Sequence, residues 1–175
     1  MKKTVVVIAF LLVSTLSFAQ GVFDKYEDNP SVQSYIVNKT MFQMMSKVKA
    51  DPKDKEVQQY FNLLKKLDDL KVFTTASTKI GADMKATVNT YLKSNPLDEL
   101  MRVTNNNRNV RIYTKPGANE NIVKELLMLI EGANLKDADT IVLSLTGNFS
   151  LDEISMLTEK MRLPGGDELK KASKK

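Results

Sequence analysis

Between residues 109 and 163, hydrophobic and polar positions alternate in the strongest pattern of the chain. Val110, Ile112 and Thr114 alternate with Arg111 and Tyr113, and this period of two predicts a strand with two unlike faces. The segment Thr140–Thr146 is β-branched, alternating and followed by glycine, so it predicts a second strand. The fold is therefore expected to contain a sheet in this half of the chain.

The apolar run Ile122–Ile130, which lies between these two strands, is compatible with two structures. By propensity it is a helix that begins after Asn121 and stops at Gly132. As a strand it would be the antiparallel partner of Thr140–Thr146. We predict the strand, because a strand this apolar must find a neighbour and consecutive strands usually pair.

Helical spacing and caps mark four further segments. They are a helix opened by Thr40 with Gln43, a helix over Asp54–Leu67, a helix from Thr78 to before Pro96, and a helix opened by the capping box Ser150 and Glu153. Shorter strands are predicted at Val32–Lys39, Leu70–Thr75 and Leu97–Thr104. This mixed order predicts an α+β fold, a mainly antiparallel sheet with three to four helices packed on one face.

The N-terminus has the pattern of a secretory signal peptide. Lys2 and Lys3 precede a short apolar run, and the small residues Ser17 and Ala19 come before Gln20. We expect cleavage after Ala19, which places the protein in the periplasm or outside the cell. The chain then divides into a signal peptide (1–19), one α+β domain (20–165) and a basic polar tail (166–175).

Charge gives no indication of nucleic-acid binding. The formal net charge is +5, and it falls to +3 without Lys2 and Lys3. The basic residues are dispersed, and their one dense run lies in the predicted tail, where like charges usually stay solvated. We expect no nucleic-acid partner, and no segment of the predicted mature chain is long and apolar enough to span a membrane.

The residue types that carry most enzyme chemistry are absent. The chain has no histidine and no cysteine, which removes most metal sites, thiol catalysis and a Ser-His-Asp mechanism. We predict no cofactor, no metal and no catalytic residue. The alternative, a carboxylate enzyme, would draw on Asp68, Asp69, Asp137, Asp139, Asp152 and Glu153.

A methionine cluster offers the one soft-ligand pattern. Met41, Met44 and Met45 would suit Cu(I), but methionine at helical spacing beside Phe42 is ordinary flexible core filling. We interpret the cluster as core.

Four segments of the chain combine strand, turn and helix-start patterns: YIVNKTM (35–41), LKVF (70–73), VKELLM (123–128) and LSLTGNFSLDEI (143–154). In this order they resemble a family of small exported proteins of Bacteroidota, the domain of unknown function family 4252. The resemblance supports the strand prediction for 122–130. It implies no catalytic residue, cofactor or activity. Many relatives resemble lipoproteins with a cysteine after the signal, and this chain departs from that pattern.

These observations predict a non-catalytic binding domain for an envelope protein or a small envelope ligand. Arg111 and Tyr113 are the candidate binding residues, because an exposed strand face would present an aromatic and a basic side chain together. Besides the carboxylate enzyme, a structural or stress-response envelope factor is the remaining alternative.

Overall fold

The computed structural model describes residues 21–48, 51, 53–105, 108–119, 121–135 and 138–172. The strands are β1 (Gln33–Asn38), β2 (Leu67–Thr75), β3 (Asp98–Asn105), β4 (Arg108–Pro116), β5 (Val123–Leu135) and β6 (Ala138–Phe149). The helices are α1 (Lys39–Met45), α2 (Lys55–Leu64), α3 (Thr78–Ser94), α4 (Leu151–Met161) and α5 (Gly166–Ala172). The strands form one antiparallel sheet in the order β1-β2-β6-β5-β4-β3.

The strand prediction for Ile122–Ile130 is confirmed. β5 pairs with β6, so that Leu126 lies opposite Leu145 and Ile130 lies opposite Ile141. Both faces of β5 are buried, because helices cover both sides of the sheet at this point. A strand buried on both faces is a nearly continuous apolar run, which is why its sequence also suits a buried helix.

The α+β class and the antiparallel sheet are confirmed, but the helices do not all share one face. Helices α1, α2, α4 and α5 cover the first face through the buried residues Phe42, Leu63, Ile154 and Leu169. Helix α3 covers the second face, where Met84 and Phe73 belong to one buried cluster. Residues 21–32, which we call the N-terminal segment, pack beside α3 on this second face through Phe23 and Tyr26. The core therefore has two layers, one on each side of the sheet.

Helix starts follow the expected capping chemistry with one correction. The capping box is present at α4, where Ser150 and Glu153 each bond to the other's backbone N–H. At α1 the cap is Asn38, whose side chain accepts a hydrogen bond from the backbone N–H of Met41, and Thr40 lies inside the helix. Asn38 ends β1 in extended geometry, and asparagine is among the strongest N-cap residues. Strand and helix therefore meet without a loop.

The C-terminal region corrects the prediction of a polar tail. Residues 166–172 form α5, and Leu169 is only 2% exposed in the core of the first face. Glu168 of the same helix pairs with Arg108 of β4 at 3.1 Å. The helix docks because its one leucine reaches the core while its lysines remain outside. Residues 173–175 of the predicted tail lie outside the described residues.

Within the described part of the chain, no helix has the length and apolarity needed to cross a bilayer. Residues 1–20, which carry the predicted signal peptide, lie outside the described residues. Export therefore stays a prediction.

Candidate functional site

The predicted binding pair, Arg111 and Tyr113, does not form an exposed surface. Both residues lie on β4, and Tyr113 points away from Val110 and Ile112 as expected from the alternation. That face is covered by the layer containing α3, however, so Tyr113 is only 7% exposed and Arg111 is half-buried. The prediction of an exposed aromatic-basic face is wrong at Tyr113, because the sheet is covered on both sides.

The carboxylates of the alternative enzyme site have different partners and line different pockets. Asp68 pairs with Lys39 at 2.7 Å on the surface, and Asp139 is exposed on β6. Asp69 is half-buried beside the N-terminal segment, where burial raises the pKa of its carboxyl although Lys71 opposes that change.

The remaining acidic pair lies at the start of α4. Asp152 and Glu153 line a cavity of about 660 Å³ together with Lys66. Burial acts to raise the pKa of Glu153, but hydrogen bonds from Lys66 and from the backbone of Ser150 outweigh it and lower the pKa. Glu153 is thus held ionised by its partners. Asp137 lies outside the described residues, and the described members of the predicted set do not converge on one pocket.

The methionine cluster is not core filling throughout. Met45 packs partly against the core, but Met41 and Met44 are 46% and 54% exposed. Among the described residues, no group of three or more acidic side chains is placed to hold a metal ion. Met41 and Met44 are surface residues, and they lie beside the edge strand β1, which is described next.

β1 is an edge strand with an unusual composition. Its neighbour in the sheet is β2, and within the described part of the chain no other strand pairs with its outer side. The strand carries no charged residue, and its pairing with β2 has no irregularity. Tyr35 and Ile36 are 50% and 41% exposed, while Val37 anchors the strand in the core. An edge with free backbone groups and apolar side chains favours pairing with another strand.

The apolar surface continues from β1 onto α1. Met41, Met44 and Val48 are exposed on α1 and the turn that follows it. We call Tyr35, Ile36, Met41, Met44 and Val48 the β1 edge surface. Asn38 joins β1 directly to α1. The outer edge of β1 and the exposed methionines of α1 therefore lie next to each other.

The opposite edge of the sheet, β3, has the features that discourage strand pairing. It carries Asp98, Glu99 and Arg102, and Arg102 forms a two-pronged hydrogen bond with Glu99. Its pairing with β4 shifts register between Glu99 and Met101. Charge and irregular geometry are the usual protection of an edge strand. The two edges of this sheet therefore differ in kind.

A groove of about 340 Å³ runs beside the N-terminal half of β1 on the face that carries α1. Apolar side chains on its walls are Tyr35, Val72, Met161, Leu163 and Pro164. Gln33 and Thr74, which lie opposite each other in β1 and β2, line it as well. The groove lies toward the start of β1, whereas α1 follows the end of the strand.

A third, polar cavity lies under the N-terminal segment. It has a volume of about 290 Å³ and is lined by Asp24, Asp69, Lys71, Tyr91 and Ser144 among others. Lys71 donates hydrogen bonds to Asp24 and to Glu27, the latter at 2.7 Å. Burial acts to lower the pKa of Lys71, but these two carboxylates outweigh it and raise the pKa.

Further hydrogen bonds join the N-terminal segment to α3. Tyr26 of the N-terminal segment bonds to Asp83 at 2.6 Å and to Thr87 at 2.8 Å, both on α3. Lys25 pairs with the same Asp83 at 2.7 Å. These contacts hold the N-terminal segment onto α3 and the sheet, so we assign the network to stability and place the candidate functional site at the β1 edge surface.

Sequence reasoning located β1 and α1 but missed the site. The available signal was the contrast between an uncharged strand at 33–38 and a charged strand at 98–105. That contrast has meaning only when both strands are known to be edges. Strand order is a property of the whole chain and is not encoded in either segment.

Fold and site together define an α+β domain whose sheet has one protected and one unprotected edge. The chain belongs to the DUF4252 family, a domain of unknown function: the family model matches residues 26–157, as the sequence resemblance predicted. The matched region includes the whole β1 edge surface. Comparison with curated proteins and with solved structures gave no match.

Proposed function

We propose that this protein is an exported, non-catalytic binding domain that recognises another protein outside the cytoplasm at the β1 edge surface. The partner contributes an extended, uncharged segment that adds to the sheet beside β1. Export rests on the signal-peptide pattern of residues 1–19. The observation that carries the proposal is the contrast between the unprotected edge β1 and the protected edge β3.

Strand addition fits the chemistry of this edge. Backbone N–H and C=O groups on the outer side of β1 have no strand partner among the described residues, so an added strand would satisfy them. Alternate side chains of the added strand would lie beside Tyr35 on one face and Ile36 on the other. The absence of charge on β1 favours an uncharged partner segment, because an unpaired charge placed there would lose water without gaining a counter-ion.

Binding measurements with a model strand test the proposal. The probe is a labelled peptide, Lys-Thr-Val-Thr-Val-Thr-Val-Thr-Lys, and its control has the central valine replaced by proline, which cannot complete a strand ladder. The purified protein is compared with Ile36→Lys on β1 and with Leu100→Lys on β3 by fluorescence anisotropy. Both positions are exposed large hydrophobics, which makes the two variants a matched pair.

The wild-type protein and Leu100→Lys are expected to bind the strand peptide with the same Kd. Ile36→Lys and the proline peptide should each weaken binding by about tenfold or more, because a lysine on an edge strand and a missing ladder hydrogen bond both oppose pairing. Equal binding of the strand peptide to Ile36→Lys and to wild type would overturn the proposal, and so would absence of binding to the monomeric protein.

A further inference from the structure

We propose that the partner at the β1 edge surface is a second copy of this chain, paired β1 to β1 across a two-fold axis. The inference rests on the proposed function, since it names the occupant of the same surface. In the resulting dimer, two six-stranded sheets join into one continuous antiparallel sheet.

Symmetry fixes how the two strands meet. Antiparallel strands related by a two-fold axis have that axis perpendicular to the sheet, so each face of one copy continues into the same face of the other. Side chains alternate between the faces, so the two residue numbers facing each other must sum to an even number. Two central registers satisfy this condition, one with Tyr35 opposite Tyr35 and one with Ile36 opposite Ile36.

The composition of β1 suits pairing with itself. No residue from Gln33 to Asn38 is charged, so neither register places like charges opposite each other. Like charges directly opposite are the usual penalty against self-pairing of a strand. Both central registers also bring together two exposed apolar side chains that are solvated in the isolated chain.

The groove and α1 supply the second argument. The exposed methionines Met41 and Met44 lie past the C-terminal end of β1, and the apolar groove lies beside its N-terminal half on the same face. The two-fold axis places the C-terminal end of one copy's β1 beside the N-terminal end of the other's. The face that carries α1 stays on the same side of the joined sheet in both copies. Each copy's α1 is therefore brought to the end of the strand where its partner has the groove. An isolated peptide strand would leave Met41 and Met44 in water, whereas a second copy places apolar surface beside them.

Sedimentation equilibrium of the purified protein gives the first test. Wild type and Leu100→Lys are expected to form dimers with the same dissociation constant. Ile36→Lys, in the strand, and Met44→Lys, on α1, should each raise that constant by about tenfold or more, because each places a charge in an apolar contact. Thermal unfolding monitors the fold of every variant, and the three positions compared are exposed in the single chain.

Chemical crosslinking gives the register. The chain has no cysteine, so Tyr35→Cys, Ile36→Cys and Leu100→Cys each introduce a single thiol. Mild oxidation should join the first or the second variant to itself through a disulfide at low protein concentration, because only directly opposite residues bring their Cβ atoms close enough for an S–S bond. Leu100→Cys should stay uncrosslinked.

Two results overturn the dimer. One is a protein that stays monomeric at every concentration, and the other is a dimer that Ile36→Lys leaves unchanged. If the protein is monomeric and still binds the strand peptide through Ile36, the dimer is excluded and the proposed function stands. A monomer that binds no strand peptide would remove the proposed function as well, so the two failures are distinguished.

Discussion

The hydroxyl of Tyr91 donates a hydrogen bond of 2.6 Å to Oε1 of Glu125, and this bond joins α3 to β5. Glu125 is 8% exposed on the second face of the sheet. Burial, followed by the hydrogen bond to Glu125, raises the pKa of Tyr91. The contact gives a nearly buried carboxylate a donor at the point where α3 crosses the sheet.

Tyr91→Phe is expected to lower the free energy of unfolding by about 1–3 kcal/mol, because it leaves the Glu125 carboxylate without this donor. Since the folded pKa of Tyr91 is raised, its contribution is present below pH 10 and is lost as the pH rises toward the folded pKa. Urea unfolding at pH 7 and pH 11 measures both effects. Thr90→Val, which removes an exposed hydroxyl next to Tyr91 on α3, is the control and should change stability little, and an equal loss in the two variants would contradict the assignment.

Lys71 is expected to hold the N-terminal segment on the sheet. Lys71→Met should cost about 1–2 kcal/mol, because it leaves Asp24 and Glu27 without their shared cation at a partly exposed site. The hydrogen bond from Lys71 lowers the pKa of Asp24, so the wild-type advantage is present above pH 3.8 and is lost as the pH falls through the lowered value. Urea unfolding between pH 2 and pH 7 checks this.

The control for this prediction is Lys39→Met. Lys39 also pairs with one carboxylate, Asp68, but both side chains are more than half exposed, so the variant should change the unfolding free energy by less than about 0.5 kcal/mol. A loss of unfolding free energy in Lys39→Met as large as that in Lys71→Met would contradict the prediction. It would show that neither the burial of Lys71 nor its second carboxylate partner contributes to stability.

Gly81 is expected to be required for the close approach of α3 to β6. A Cβ atom at this position would overlap Oγ1 of Thr140. Alanine gains about 1 kcal/mol in helix propensity, but overpacking a tight contact costs about 1–3 kcal/mol, so Gly81→Ala should be destabilising overall. In a double-mutant cycle measured by urea unfolding, adding Thr140→Ala to Gly81→Ala should restore part of the lost free energy of unfolding. Strict additivity of the two changes would exclude this contact as the cause.

Leu169 is expected to dock α5. Leu169→Ala removes a side chain that is 2% exposed and should cost about 2–4 kcal/mol, within the range for leucine truncation in a core. Lys171→Ala, on the exposed side of the same helix, is the matched control and should be nearly neutral. Calorimetric melting of the two variants makes the comparison. Equal melting temperatures of the two variants would indicate that residues 166–172 form a solvated tail.

Much of the sheet was predictable because alternation is a local property. The strands around Val110 and Ile141, and the capping box of α4, follow from a few neighbouring residues each. The face on which α3 packs was not predictable in this way. An amphipathic helix must bury its apolar stripe, but its sequence does not say on which side of the sheet the chain crosses.

The candidate site escaped sequence reasoning for the same reason. Tyr113 and Tyr35 both occur in alternating strands, yet one is 7% exposed and the other is 50% exposed. The difference comes from strand order: β4 is internal and covered, whereas β1 is an edge. Exposure of a strand residue depends on neighbours that are distant in sequence.

The measurement that tests the central claim most directly is amide hydrogen exchange at β1, followed residue by residue in the presence and absence of the strand peptide. If β1 accepts a strand, the peptide should slow exchange at outward-facing amides between Gln33 and Asn38 and leave the amides of β3 unchanged, because only newly formed ladder hydrogen bonds confer this protection. At a protein concentration where the chain is monomeric, unchanged exchange at β1 under saturating peptide, or protection that appears at β3 instead, would contradict the account.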